Sequence, residues 1–400
     1  MTPGSILLVV LGLSGLGFLV GRQRALAVAG GDSRRLHSLP SHYGTSVLLF
    51  TAIPALVALA SWLFLRPYFA AEGTRLLSGF LVIGVALAGL AVSTLRITRD
   101  QRARNIVEMV LKAILIGCSL IAVATTLGIV ASLLFESIHF FQLYPARDFF
   151  LSLTWNPQFR GGSDLGIWPL LWGTLYVSLV ALVVAVPLGL MAAIYLSEYA
   201  TNSVRACAKP AVEMLAGIPT IVYGLFALIT VGPLLRDWIA QPLGLGTSSS
   251  SVITAGLVMG IMLIPFVSSL SDDIMNAVPQ AMRDGSCGLG ATRSETVRKV
   301  VLPAALPGIV GAVLLAASRA IGETMIVVMG AGAAARLGLN PFEAMTTITV
   351  KIVSQLTGDT EFASPETLVA FALGLTLFCF TLAMNVLALI IVRKYREQYE

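Results

Sequence analysis

Charge is what this 400-residue chain has least of: Asp, Glu, Lys and Arg make up 12% of it, about half the ~25% of a soluble globular domain. That excludes a water-facing surface over most of its length. Histidine is scarcer still. His37, His42 and His139 are scattered near the ends of apolar runs, which argues against a histidine ligand set. The four cysteines, Cys118, Cys207, Cys287 and Cys379, stand far apart, so neither a disulfide framework nor a metal knuckle is expected. A phosphate-binding loop is also missing. GSCGLGAT, Gly285 to Thr292, has the glycines and threonine of G-x-x-x-x-G-K-[ST] but carries Ala291 where a lysine would reach the phosphates, and it follows no strand. GLGATR lacks the last glycine of a dinucleotide fingerprint, and there is no His-Glu-x-x-His and no nucleophile elbow. The sequence therefore offers no enzyme active site, no metal site and no cofactor site of its own.

What is present is apolar. Residues of the AVILMFWYC set make up 56% of the chain, and nine runs reach spanning length. They lie at about Gly4 to Val20, Thr45 to Leu65, Leu77 to Leu95, Met109 to Phe135, Pro169 to Leu196, Ala211 to Val231, Ser251 to Leu270, Gly308 to Ala331 and Thr367 to Val392. The expected fold is an all-α polytopic membrane protein, with lipid bilayer as the solvent of most residues. The first run is not a secretory signal, because Arg22 and Arg24 follow it instead of preceding it. The net charge of +5 would suggest nucleic acid in a soluble chain. Here the basic residues sit between spans, where they orient the protein, and no nucleic-acid patch is read.

With the N-terminus outside, 17 of the 26 Lys and Arg fall on the cytoplasmic side and seven, among them Arg66, Arg160, Arg336 and Lys351, on the other. That asymmetry puts the C-terminus in the cytoplasm. A basic linker, RITRDQRARN at Arg96 to Asn105, separates three spans from six, giving an N-terminal extension over 1–104 and a transmembrane domain over 105–400. The segment Phe140 to Pro169, rich in aromatics, polar residues and glycine, suits a membrane interface or a docking surface. Asn340, Pro341 and Glu343 read as the start of an amphipathic helix with Phe342, Met345, Ile348, Ile352 and Leu356 on one face. Gly256 and Gly260 form a GxxxG pair, and Pro54, Pro187, Pro219 and Pro265 mark kinks inside spans.

Two features stand out against this background. The loop 272–307 is polar: Pro279 suits a first helical position, Thr292 and Glu295 form a capping box, and Gly285, Gly288 and Gly290 lie between. The pattern predicts a short helix, a glycine turn at Gly290 and a second helix ending at Leu302 and Pro303. The eighth run holds Arg319 and Glu323 near its middle, one helical turn apart on one face, so that the carboxylate can partner the guanidinium. A charge at mid-membrane costs at least about 2.5 to 3.5 kcal/mol on insertion scales and marks a partner, a water-filled cavity or a pathway.

The polar loop resembles the cytoplasmic coupling loop of ABC-transporter permeases, E-A-A-x-x-x-G, nine residues, then I-x-L-P. Asp284, Gly285 and Ser286 stand at E-A-A, Gly290 at the glycine, Val300 at the isoleucine, and Leu302 and Pro303 at L-P. The spacing matches while three small or acidic positions and the isoleucine are replaced. Together with GTLYVSLVALVVAVPLGLMAAIYLSEYA, LAGIPTIVYGLFAL, MGIMLIPFVSSLSDD and RAIGETM in order, the chain resembles the PstC-type permeases of phosphate importers. The resemblance runs from about Asn105 to the C-terminus, and LHSLPSHYGTSVLLFTAIPALVALASWLFLRP resembles an N-terminal extension of some members.

The resemblance implies a six-helix ABC importer permease core preceded by about three extra transmembrane helices, in the bacterial inner membrane. It implies a PstA-like sister permease, an ATPase subunit dimer that binds ATP and Mg, and an external phosphate-binding protein. Arg319, Glu323 and Thr324 would line the substrate pathway for phosphate, and Asp284, Gly285, Ser286, Gly290, Val300, Leu302 and Pro303 would couple to the ATPase. A permease for a related oxyanion or a phosphonate, or a secondary phosphate transporter, are the alternatives left open.

Overall fold

The structure is a computed structural model and describes residues 2–65, 74–158, 162–358 and 364–396. Arg66, Arg160 and residues 397–400, used in the charge count or the domain bounds, lie outside the described residues. Two compact units divide at Leu127 and Gly128. Among the described residues, eight helices are long and apolar enough to cross a membrane, and Gly79–Leu95 is a shorter apolar helix.

The first unit packs α1 (Pro3–Val28), α2 (Pro40–Leu65) and α3 (Thr74–Leu95), with the start of α4 (Ala103–Leu143). The three helices approach closely because glycines face neighbouring backbone. A Cβ on Gly44 would lie 2.6 Å from the Phe18 carbonyl oxygen, and one on Gly89 would collide with that of Phe50. Hydroxyls inside this apolar bundle bond to their own helix: Ser14 to Val10 O at 2.7 Å and Thr51 to Val47 O at 2.8 Å, which satisfies them without a partner helix. Tyr43 donates from its phenol to Gln101 O at 2.9 Å, fastening the basic linker to α2.

The second unit is built around α6 (Trp168–Ile194) and α10 (Val252–Asn276). Gly256 and Gly260 do serve as the contact: Cβ atoms there would lie 2.5 Å from Val180 Cγ1 and 2.8 Å from Val184 Cβ, so small residues let the two backbones meet. Around them lie α7 (Asn202–Ala216), α8 (Thr220–Phe226), α9 (Gly232–Leu235), α11 (Gln280–Gly288), α12 (Arg293–Thr296), α13 (Leu302–Ile321), α14 (Met325–Gly330), α15 (Ile348–Gly358) and α16 (Pro365–Arg396). The segment after α4 forms α5 (Ala146–Leu151) and a two-stranded antiparallel pair, β1 (Trp155–Asn156) and β2 (Asp164–Leu165).

Several expectations are corrected. The run Ala211 to Val231 is two pieces: Gly217 ends α7, Pro219 is extended at ψ 136°, and the spanning segment is Thr220–Ala240. Proline disfavours helical backbone in the residue before it, here Ile218, so Pro219 breaks the run instead of kinking it. The amphipathic helix begins at Ile348, not at Pro341. Asn340 spends its side chain on a local turn, accepting from Phe342 N–H at 3.0 Å, and does not cap a helix. The aromatics of the segment from Phe140 onward are not all surface anchors: Phe140, in the last turn of α4, and Phe149 are fully buried and join Trp155, Leu165, Ile348, Leu368 and Leu373 in one cluster.

Candidate functional site

The polar loop folds from local chemistry. Pro279 stands one residue ahead of α11, which runs to Gly288. Gly290 follows with φ +83° and open space around its Cα, the left-handed geometry that glycine adopts without strain. Thr292 and Glu295 then close both arms of the capping box: the Thr292 hydroxyl accepts from Glu295 N–H at 3.4 Å, and the Glu295 carboxylate accepts from Thr292 N–H at 3.0 Å. Ser286 and Thr296 hydroxyls bond at 3.0 Å and tie α11 to α12. Asp284 stays on the outside of α11, accepting from Gln280 at 3.1 Å. At the tip, Leu289 is 91% exposed, an apolar knob presented on a turn.

The second loop helix does not end at Leu302 and Pro303. Arg293 to Ile321 is continuous helix, with a π turn over Val297–Val301 just before Pro303. A proline lacks one donor and crowds the carbonyl four residues back. The wider π turn gives that carbonyl room, so the helix continues. Val300 is half-buried, Leu302 is half-buried against the apolar cluster that includes Met275, Val301 and Ala305, and Pro303 is exposed.

Two ionic clamps, neither assigned from the sequence, hold this face together: one attaches the loop to the spanning helices and the other attaches α7 to α10. Arg283 of α11 donates to Glu198 Oε1 at 2.9 Å, Met275 O at 2.8 Å and Val278 O at 3.0 Å. Its side chain and that of Glu198 are 15% and 10% exposed. Glu198 lies in the π turn Tyr195–Tyr199 that follows α6, and Arg293 sits 5.7 Å over the Tyr199 ring of the same turn. Asp272 of α10, almost fully buried, accepts from Arg205 at 3.1 Å, Lys209 at 2.8 Å and Asn276 at 3.0 Å, which attaches α7. The hydrogen bond to Asp272 holds the Lys209 ammonium pKa above its ordinary value. Acidic residues at the end of an apolar run, Glu198 and Asp272 to Asp273, were the available signal.

The candidate pathway residues Arg319, Glu323 and Thr324 are arranged differently from the sequence reading. Gly322 ends α13, its N–H bonding back to Ser318 O at 3.3 Å, so Glu323 is not one helical turn from Arg319 on a continuous helix. The two side chains form no ion pair. Glu323 Oε1 accepts from Met325 N–H at 3.2 Å at the start of α14, and its carbonyl accepts from the Thr349 hydroxyl at 2.9 Å. Thr324 is the residue before α14 and bonds locally to Gly322 O at 3.4 Å. Arg319, exposed in the last turn of α13, lies with its guanidinium 5.7 Å from the centroid of Phe266 on α10. Chemically this is a fork-shaped cation at a helix break, backed by an aromatic face and free of a carboxylate.

Residues 185–397 match the family described as binding-protein-dependent transport system inner membrane component, and residues 6–75 match one described as phosphate ATP-binding cassette transporter. The chain is 33% identical over 300 residues to a probable ABC transporter permease, YqgH, of Bacillus subtilis, covering 74% of this chain and 94% of that one. The chain belongs to the binding-protein-dependent ABC permeases. It is also 33% identical to the phosphate transport permease PstC of Mesorhizobium japonicum, over 60% of this chain and 76% of that one. PstC 1 of Mycobacterium tuberculosis is 35% identical, over 62% and 81%. Membership makes it a multi-pass inner-membrane protein and implies a partner ATPase and a substrate-binding protein.

Proposed function

We propose that this permease carries inorganic phosphate inward, forming half of the translocation pathway, with Arg319 as the group that takes the anion. The observation behind this is the guanidinium at the break between α13 and α14, over Phe266 and unpaired with Glu323. A planar fork can hold two oxygens of a tetrahedral anion and stays charged at any working pH. Phe266 supports its opposite face. Glu323, the second residue of the break, supplies negative charge near the path, which weakens binding enough for release, since a site that binds too tightly cannot conduct.

The other half of the pathway belongs to a PstA-like sister permease, and an external phosphate-binding protein delivers the anion. ATP and Mg are held by an ATPase dimer, which receives α11 and Leu289 in a cleft and moves the loop when it closes. The basic asymmetry supports a cytoplasmic loop and C-terminus and an outer N-terminus.

Arg319→Gln should leave the complex assembled and hydrolysing ATP while abolishing phosphate uptake into reconstituted vesicles. Arg319→Lys should be impaired as well, because a point charge replaces a fork. Wild-type uptake by both variants would refute the assignment.

A further inference from the structure

The first unit contains a cavity remote in sequence from the residues proposed to handle the anion. It lies between α2 and α3 and holds about 420 Å³, within the ~300 to 1,000 Å³ range of pockets that seat small molecules. Phe50, Pro54, Val85 and Val92 make its apolar walls, while Ser93, Arg96 and Gln101 add polar groups from the end of α3 and the linker. The two helices touch beside it at Gly89 and Phe50.

Two features of the polar end point to a ligand. Gln101 Oε1 is buried and accepts no hydrogen bond, although buried acceptors are almost always satisfied. Tyr43 holds the linker by the Gln101 backbone carbonyl, so the side chain is fixed at the cavity while its oxygen lacks a donor. Arg96 is exposed and forms none of the ion pairs among the described residues, whereas Arg104 is engaged by Glu108 at 2.6 Å and Arg99 donates to Val28 O at 2.7 Å. An apolar slot with a cation and a hydrogen-bond acceptor at one end complements a molecule with a hydrocarbon chain, an anion and a donor.

We infer that this cavity binds one anionic glycerophospholipid of the phosphatidylglycerol class. An acyl chain lies along Phe50, Pro54, Val85 and Val92, the phosphate meets Arg96, and a headgroup hydroxyl donates to Gln101 Oε1. Free phosphate satisfies the cation but leaves the apolar walls empty, and a zwitterionic choline lipid brings no donor to Gln101. The first unit is thereby a lipid-binding unit. This site is independent of the anion pathway and of the substrate.

The test is lipid occupancy by native mass spectrometry of the full chain in its purified complex. The complex is delipidated and then titrated with phosphatidylglycerol or phosphatidylcholine of the same acyl chains. One phosphatidylglycerol should be retained in preference to phosphatidylcholine, and Arg96→Gln should reduce that preference about fivefold, the effect of one basic side chain near an anionic headgroup. Arg96→Lys should keep it. Ala88→Phe, at an exposed position lining the slot, should lower the occupancy of both lipids, and Gln101→Leu should lower that of phosphatidylglycerol. Equal retention of the two lipids by the wild type would overturn the proposal, as would unchanged occupancy in Ala88→Phe, or displacement of the lipid by inorganic phosphate.

Discussion

Removing Arg283 should uncouple ATP hydrolysis from transport. Its guanidinium bridges α11 to Glu198 after α6 and to the carbonyls of Met275 and Val278 at the end of α10, all within 3.0 Å. Both charged side chains are at most 15% exposed. Breaking such a pair from one side leaves an uncompensated buried charge and costs ~3 to 5 kcal/mol; the residual exposure places this case at the lower end, about 3 kcal/mol. Glu198→Gln keeps an oxygen for Nη2 and replaces an ion pair by a hydrogen bond in which only the guanidinium is charged, a loss of about 1 to 1.5 kcal/mol. The single changes should therefore rank Arg283→Met above Glu198→Gln. In the double variant the two losses should fail to add by roughly 0.5 to 3 kcal/mol, as for groups in direct contact. The energy holds α11 to the C-terminal ends of α6 and α10, so a loosened α11 should follow a partner ATPase without moving the spans. Reconstituted complexes with Arg283→Met should hydrolyse ATP but move less phosphate for each ATP hydrolysed, and Glu198→Gln should lie between this and wild type. An unchanged ratio of phosphate moved to ATP consumed, beside a lowered melting temperature, would show that the pair only supports packing and would refute the reasoning.

Gly290 has φ +83° and nothing near its Cα, so Gly290→Val meets backbone strain of ~1 to 2 kcal/mol and no clash. It should leave the chain inserted and lower either ATPase association or transport, read by co-purification and uptake; normal values in both would show that the turn does not transmit. Leu289, the exposed apolar tip, should behave as an anchor. Leu289→Ala should weaken co-purification of the ATPase by upwards of 1 kcal/mol, about fivefold or more, as for central apolar contacts in an interface, and unaltered affinity would remove it from the docking surface.

The parts legible in the sequence are those fixed over three or four residues. The Thr292 and Glu295 box and the positive φ of Gly290 are local events, and apolar length alone marks most spans. The break at Gly322 was not legible, because a lone glycine in an apolar run is ordinarily tolerated. Distant groups hold that break. Thr349 bonds the Glu323 carbonyl, and Ser251 N–H bonds Gly330 O at 2.9 Å, at the last residue of α14. The clamps were hidden for the same reason, since Arg283 and Glu198 are 85 residues apart and Arg205 and Asp272 are 67. The i to i+4 reading of Arg319 and Glu323 failed because it assumed a helix that tertiary bonding interrupts.

The two functional regions meet through α10 and α13. Along α10, Phe266 lies under the Arg319 guanidinium, Asp272 holds Arg205 and Lys209 of α7, and the Met275 carbonyl holds Arg283 of the loop. From Phe266 to Met275 is nine residues, about 13 Å of helix at 1.5 Å each, so one rigid element touches both ends. Helix continuity from Arg293 to Ile321 joins the capping box to the turn that carries Arg319. A displacement of the loop should therefore reach Arg319 through α13 and α10 through the Arg283 clamp. If both move together, Arg319 keeps its place over Phe266. Under the proposed function, an ATPase that shifts α13 more than α10 should slide the guanidinium off the ring, and that relative movement would release the bound anion. The break at Gly322 makes the slide possible, because α14 is fixed separately through Glu323 and Gly330 and need not follow α13.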